Sequence, residues 1–197
     1  MKLVGLTGGI ASGKSTVSRL LRESGISVVD ADQIVHRLEE TGNRGWRALF
    51  RLCGYPVLRA DGSLDRVRMG RWLFSDSDLR ARVNATLHPL VRQEMWREVR
   101  ELENAGRPCV VVDVPLLVEN GLHRLVDEVL VVWATREQQL QRLMARNGLG
   151  REEAERRLRS QWDLTDKLGY ASRVLDNTGS VDDLVHQVKE AVRELLR

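Results

Sequence analysis

Three short segments carry residue types at spacings that can do chemistry. The first is Gly8-x-x-x-x-Gly13-Lys14-Ser15, inside "GLTGGIASGKSTV". Glycines so placed let backbone N–H groups curl around a phosphate, and a helix starting there adds favourable partial charge. Lys14 can then reach the outer phosphates of a nucleoside triphosphate, Ser15 can offer its hydroxyl to Mg²⁺, and Thr16 extends the phosphate contacts. The segment specifies triphosphate binding and is silent about the phosphoryl acceptor.

The second segment is "VVDADQIVH", with two carboxylates one residue apart. Asp30 stands at a strand-to-helix junction with Gln33 three residues on, and is most simply a helix N-cap. Asp32 then falls at the second helical position, where an anion is tolerated but is not needed for capping. It is a candidate general base for an attacking hydroxyl, the plain alternative being acidic decoration of a first turn. His36, four residues along, would share that helix face and could orient Asp32, or could be helix surface. The third segment is "CVVVDVP": Asp113 closes a fully apolar run, where phosphate-loop enzymes keep a Mg²⁺-ordering acid. A partly buried structural Asp is the alternative.

These groups need elements to position them. Lys2 to Leu6 is a β-rich run ending at glycines, a helical pattern runs from Lys14 to about Ser24, and "ISVVD" is the next strand. From Thr41 to Gly70 the chain is Gly- and Arg-rich with weak periodicity; "YPVLRADGSLD" within it reads as a loop or small hairpin turning at Asp61-Gly62. Helical character follows from about Asp65 to Glu103, with a break expected at His88-Pro89. "CVVVD" and "EVLVVWA" read as buried parallel strands, Thr135 with Gln138 as a capping box, "SRVLDNTG" as a last strand and loop, and Ser180 as the cap of a C-terminal amphipathic helix. Alternation of strands and helices implies an α/β fold with a parallel sheet, and ligands of such sheets bind beyond the strands' carboxyl ends. Asp30, Asp32 and Asp113 all fall at such ends.

At 197 residues, with 42% hydrophobic and 30% charged residues, the chain has the composition of one compact globular unit. No apolar run reaches the roughly 20 residues of a membrane helix, and "MKLVGLTGG" reads as a strand rather than a signal peptide. Cys53 and Cys109 supply neither a disulfide framework nor metal-ligand spacing, so a reduced cytoplasm is the default. Of the 31 basic residues only four are lysines, which makes Lys14 conspicuous. The Arg-rich surface could serve nucleic acid, but segments such as "REEAERRLR" fit solvated Arg–Glu faces. The chain lacks an N-K-x-D base reader and a D-x-x-G switch, which argues against a GTPase and leaves a small kinase acting on a metabolite.

"GLTGGIASGKSTV", "DADQIVH", "LHPLV", "DVPLLVENGL", Arg142 with Arg146, and "VLDNTG" together resemble the dephospho-CoA kinases, in order and approximate spacing, over nearly the whole chain. The resemblance implies transfer of the ATP γ-phosphate to the ribose 3′-hydroxyl of dephospho-CoA, with ATP, Mg²⁺ and dephospho-CoA as the small molecules. No nucleic-acid or membrane partner is expected, and a monomer is favoured. It implies a P-loop NTPase-type three-layer αβα fold with about five parallel strands, a helical acceptor-binding insert and a lid. The corresponding divisions are a nucleotide-binding core of residues 1–37, 104–135 and 171–197, a coenzyme A region of 38–103 and a lid of 136–170.

Carried over by residue, the resemblance makes Asp32 the base, with Lys14 and Arg142 acting on the transferred phosphoryl. It places ATP on Gly9, Ala11, Ser12, Gly13, Lys14, Ser15 and Thr16 with Arg146, Asn177 and Gly179, and Mg²⁺ on Ser15 and Asp113. The acceptor falls to Thr7, Asp32, His36, His88 and the Pro115-Leu116-Leu117 turn. Arg142 and Arg146, four apart, share a helix face on which two guanidiniums could clamp phosphates, or form a solvated basic stripe. The chain departs from the family pattern at three positions. Ala11 stands where Gly is usual, and suits the loop if its φ is negative. Val118 replaces an aromatic, which would loosen packing, and Ser172 replaces an Asp. The rivals are another small-molecule kinase, for a nucleoside, nucleoside monophosphate or sugar-like acceptor, and a nucleotide-dependent nucleic-acid binder.

Overall fold

The computed structural model describes all 197 residues. In chain order the elements are β1 (Lys2–Gly8), α1 (Lys14–Glu23), β2 (Ser27–Asp30), α2 (Ala31–Leu38), α3 (Arg44–Cys53), α4 (Arg66–Ser75), α5 (Ser77–Asn104), β3 (Cys109–Asp113), β4 (Glu128–Trp133), α6 (Arg136–Asn147), α7 (Arg151–Leu158), α8 (Leu164–Leu168), β5 (Arg173–Asp176) and α9 (Val181–Leu195). No helix is long and apolar enough to cross a membrane.

The five strands form one sheet in the order β2-β3-β1-β4-β5, and β1 pairs in parallel with β3 on one side and β4 on the other. The connection leaving β1 runs toward β2, and the one leaving β3 runs toward β4, so the chain departs from these neighbours in opposite directions. Their carboxyl ends therefore flank the crevice where ligands of open α/β sheets bind. Register sets Leu6 opposite Asp113. One sheet face is built from alternate residues, Val4 and Leu6 of β1 with Leu130 and Val132 of β4, covered by Val17 and Leu21 of α1 and by Leu184, Val188 and Leu195 of α9. On the other face Leu117 occupies the space left by Gly5, where a Cβ would lie 2.5 Å from its Cδ2.

The chain divides into two compact units, Met1–Val29 with Glu101–Arg197, and Asp30–Arg100. The second includes α2, which packs closely on α3: a Cβ on Gly45 would sit 2.7 Å from the Leu38 carbonyl oxygen. Its core is Leu49, Val57, Leu64, Met69, Val83 and Leu87.

Two local expectations need correction in this unit. The weakly periodic stretch holds a full helix, α3, whose Trp46, Leu49, Phe50 and Cys53 do recur at helical spacing, diluted by Gly45 and three arginines. The break expected at His88-Pro89 does not occur; α5 runs through Pro89 and the interruption falls at Asp76, whose carboxylate accepts from the N–H groups of Asp78 and Leu79. Pro89 removes the bond its N–H would give to the Ala85 carbonyl, and the length of helix on both sides outweighs that loss. The expected small hairpin is present, with a Leu58–Leu64 bridge and Gly62 at φ +80°.

Candidate active site

The phosphate loop lies between β1 and α1. Its geometry is a set of turned-out carbonyls and unused amides. Gln139 Nε2 donates to the Ile10 carbonyl at 2.7 Å, and Asn177 Nδ2 donates to the Ser12 carbonyl at 2.8 Å. The N–H groups of Ala11, Gly13, Lys14 and Ser15 donate to no protein acceptor. Four free N–H groups within five residues at a helix N-terminus make an anion site. Gly13 adopts φ +101°, a left-handed conformation, and a Cβ there would lie 2.0 Å from Asn177 Nδ2.

Ala11 corrects the condition set by the sequence: its φ is +58°, not negative. A left-handed alanine costs about 1–2 kcal/mol. Its compensation is packing, since Ile10 and Ala11 lie against the buried cluster of Leu140 and Leu143 from α6 and Ala154 and Leu158 from α7. The loop and two helices of the expected 136–170 lid thus share one small core.

Lys14 Nζ lies 2.5 Å from Asp113 Oδ1. Asp113 is buried at the end of β3 and already faces a cation, while the Ser15 hydroxyl is exposed at the first turn of α1. One carboxylate, one hydroxyl and the oxygens of a bound phosphate are the hard donors Mg²⁺ accepts, so these residues fit that ion. Beside them Thr7, fully buried, donates to the Pro115 carbonyl at 2.9 Å. Leu117 is core, with no exposed surface, and Val118 is 3% exposed, so the turn after Asp113 is tightly packed despite the missing aromatic.

Arg142, on α6, donates through Nη2 to the Asn177 carbonyl at 2.9 Å. Its Nη1 is buried and has no partner. A buried guanidinium nitrogen left without an acceptor is costly unless an anion completes it. The Ser12 hydroxyl is likewise buried and unpartnered. Arg146 is exposed and donates only to Asn147, so the two arginines, though one turn apart, sit in different surroundings. Asn177 spends its amide on the loop carbonyl, and Gly179 is exposed just before the Ser180 cap. Ser172, where the resemblance led to an expected Asp, accepts from the Val129 N–H at 3.0 Å.

In the second unit Asp30 is the N-cap of α2, accepting from the N–H groups of Asp32 and Gln33 at 3.0 and 3.1 Å. The Asp32 side chain is exposed and its carboxylate makes no hydrogen bond or ion pair; none joins it to His36, which is also exposed. His88 lines an open hollow of about 500 Å³ along one face of α5, with Ala85, Pro89, Arg92, Gln93, Trp96 and Arg100. The lining combines a flat aromatic with two guanidiniums, and the carbonyl of Ala85 lacks its helical donor because residue 89 is proline.

Two residues escaped the sequence. Gln139, 6% exposed, lies one position after the capping-box glutamine and holds the loop. Lys167, with no exposed surface, lies in "TDKL". The rarity of lysine that singled out Lys14 applied equally to Lys167.

The family model for dephospho-CoA kinase matches residues 2–183. A dephospho-CoA kinase of Symbiobacterium thermophilum is 51% identical over 193 residues, covering 98% of this chain and 81% of that protein. The crystal structure of TT1252 from Thermus thermophilus superposes with a TM-score of 0.82 at 39% identity, covering 98% of this chain and 97% of the other. The dephospho-CoA kinase of Campylobacter jejuni does so at 0.73 and 27%, covering 99% and 98%. With a phosphate loop between β1 and α1, an acid at the end of β3 and likeness along nearly its full length, the chain belongs to the dephospho-CoA kinase family.

Proposed function

We propose that this chain is an ATP-dependent dephospho-CoA kinase, transferring the γ-phosphoryl of ATP to the ribose 3′-hydroxyl of dephospho-CoA. The observation that carries the proposal is the loop itself, with four unpaired N–H groups beside Lys14 and the unpartnered buried nitrogen of Arg142, in a chain whose family is this one. The amides and Lys14 would bind the triphosphate, and Arg142 would complete its bonding on the oxygens of the transferred group, where charge develops. Ser15 and Asp113 would hold Mg²⁺, which supplies neutralisation of phosphate charge. Arg146, Asn177 and Gly179 would lie on the nucleotide side, with residues 136–170 as a lid.

Asp32 would accept the proton of the attacking hydroxyl. Its capping duty is carried by Asp30 and it has no internal partner, so its lone pairs are free for a substrate proton. The unit Asp30–Arg100 would bind the acceptor, with His88, Arg92, Trp96 and Arg100 suited to a molecule that joins an aromatic base to a diphosphate. Thr7, His36, Pro115 and Leu116 would complete the acceptor side.

The test is turnover with Mg²⁺ and ATP against dephospho-CoA, AMP and shikimate in parallel. Formation of 3′-phosphorylated product from dephospho-CoA, with little from the others, is the expected result. Preferred turnover of AMP or shikimate would replace this acceptor with that of another small-molecule kinase.

A further inference from the structure

Lys167 is an ammonium with no exposed surface; it lies in the 136–170 segment expected to form a lid but is not among the site residues assigned above. Its Nζ donates to the Pro115 carbonyl at 3.0 Å and to the Gly8 carbonyl at 3.3 Å, and it lies 2.8 Å from Glu119 Oε1. The ammonium thus has two carbonyl acceptors and one ion-pair partner, whose carboxylate oxygens are themselves buried and make no hydrogen bond. A well-packed apolar side chain would generally stabilise such a position as well or better, so stability alone gives little reason for the charge.

The partners give a better reason. Gly8 is the first residue of the phosphate-loop motif, and Pro115 and Glu119 belong to the turn that follows Asp113. The same Pro115 carbonyl also accepts from Thr7. Asp113 at the start of this turn is held by Lys14, so two of the chain's four lysines grip its two ends. Lys14 comes from the phosphate loop, and Lys167 from α8, the first helix after α7. Lys167 has no exposed surface to offer a ligand, so it acts through what it holds.

We infer that Lys167 is a positioning residue for phosphoryl transfer, fixing the first carbonyl of the phosphate loop and the Pro115–Glu119 turn to α8. This rests on the proposed kinase reading, which it deepens. A compact ammonium suits the role because its donors fan out from one point toward three separate oxygens, whereas a guanidinium spreads its donors in a plane.

The test separates positioning from mere stability. Lys167→Met leaves Glu119 buried and unpaired, and lowers the melting temperature. Lys167→Met combined with Glu119→Met removes both charges and regains most of that loss. The double variant should nonetheless keep kcat at least about tenfold below the parent, with KM for ATP changed by less than about threefold, because misplacement of the reacting groups lowers rate more than ground-state binding. Hydrogen exchange of the Ser12 and Thr16 amides, which donate to the Gly9 and Gly13 carbonyls, should be about tenfold faster in the double variant, read on the free enzyme. A double variant that recovers both melting temperature and kcat, or that exchanges these amides at the parental rate, overturns the inference. If the double variant fails to fold, Lys167→Arg serves: parental kcat and parental exchange in that variant also overturn it. Absence of parental turnover on dephospho-CoA would sink the kinase reading instead, and the exchange measurement would still judge Lys167.

Discussion

Asp32 carries a carboxylate with no internal duty, and that is what makes it testable. Asp32→Asn removes a proton acceptor without touching the cap, which Asp30 supplies through two backbone bonds. Turnover should fall by about 10²–10⁴ while ATP binding and melting temperature stay near parental values, since general-base catalysis contributes that much. Calorimetric titration with ATP beside the rate assay checks it; near-normal turnover would remove Asp32 from the role. Ala11 makes the opposite kind of case, a strained residue held by its neighbours. Ala11→Gly relieves the left-handed backbone, yet loses the methyl packed against α6 and α7 and loosens the unfolded chain, each effect being about 1 kcal/mol. The melting temperature should therefore barely move. Ala11→Val should lower it clearly, because a β-branched residue is a true outlier at positive φ. Thermal melts of the two variants decide between strain and packing.

Among the elements, α2 ends in a buried acid. Glu39 is 8% exposed and paired to the half-exposed Arg66 at 2.9 Å. Burial pushes its carboxyl above the ordinary Glu range, and the attraction of Arg66 opposes this without cancelling it. A carboxyl raised in the folded state binds its proton more tightly folded than unfolded. It therefore costs stability at neutral pH, and that cost fades as the pH falls through its folded pKa. Glu39→Gln should be as stable as the parent or more so at neutral pH, with the difference shrinking toward acid; melts across pH 4.5–7.5 would check it. A variant clearly less stable at neutral pH would mean that the pair with Arg66 outweighs the burial. Helix α7 shows the commoner use of charge, with Glu153 paired to Arg156 and Arg157 on an exposed face, where such pairs contribute only tenths of a kcal/mol. This is the solvated Arg–Glu face that the composition led one to expect.

At the scale of the whole molecule, the two units should answer to different ligands. On the proposed reading, Mg²⁺ and ATP would bind the folded state and should stabilise it by about 2.7 kcal/mol at a hundred times the dissociation constant. Slowed hydrogen exchange should centre on Gly9–Thr16 and on α6, within the unit Met1–Val29 with Glu101–Arg197. Dephospho-CoA alone should slow exchange along α5 between Ala85 and Arg100. Protection by dephospho-CoA confined to the nucleotide-binding unit would contradict the acceptor assignment.

The sequence by itself determined what is local in chain and periodic in pattern. The phosphate loop, the apolar strands, the Asp30 cap, and the boxes at Thr135 and Ser180 each depend on residues within a few positions of one another, so short windows reveal them. Diluted periodicity hid α3, and a local rule about proline broke a helix that its flanking turns hold together. Tertiary structure alone decided which distant groups complete the loop. Gln139 and Ile10 are 129 residues apart, Asn177 and Ser12 are 165, and Lys167 and Gly8 are 159. No window spans those distances. They close because parallel strands bring chain ends from across the sequence to one edge of the sheet, where buried carbonyls need donors and a lysine with no other outlet finds them.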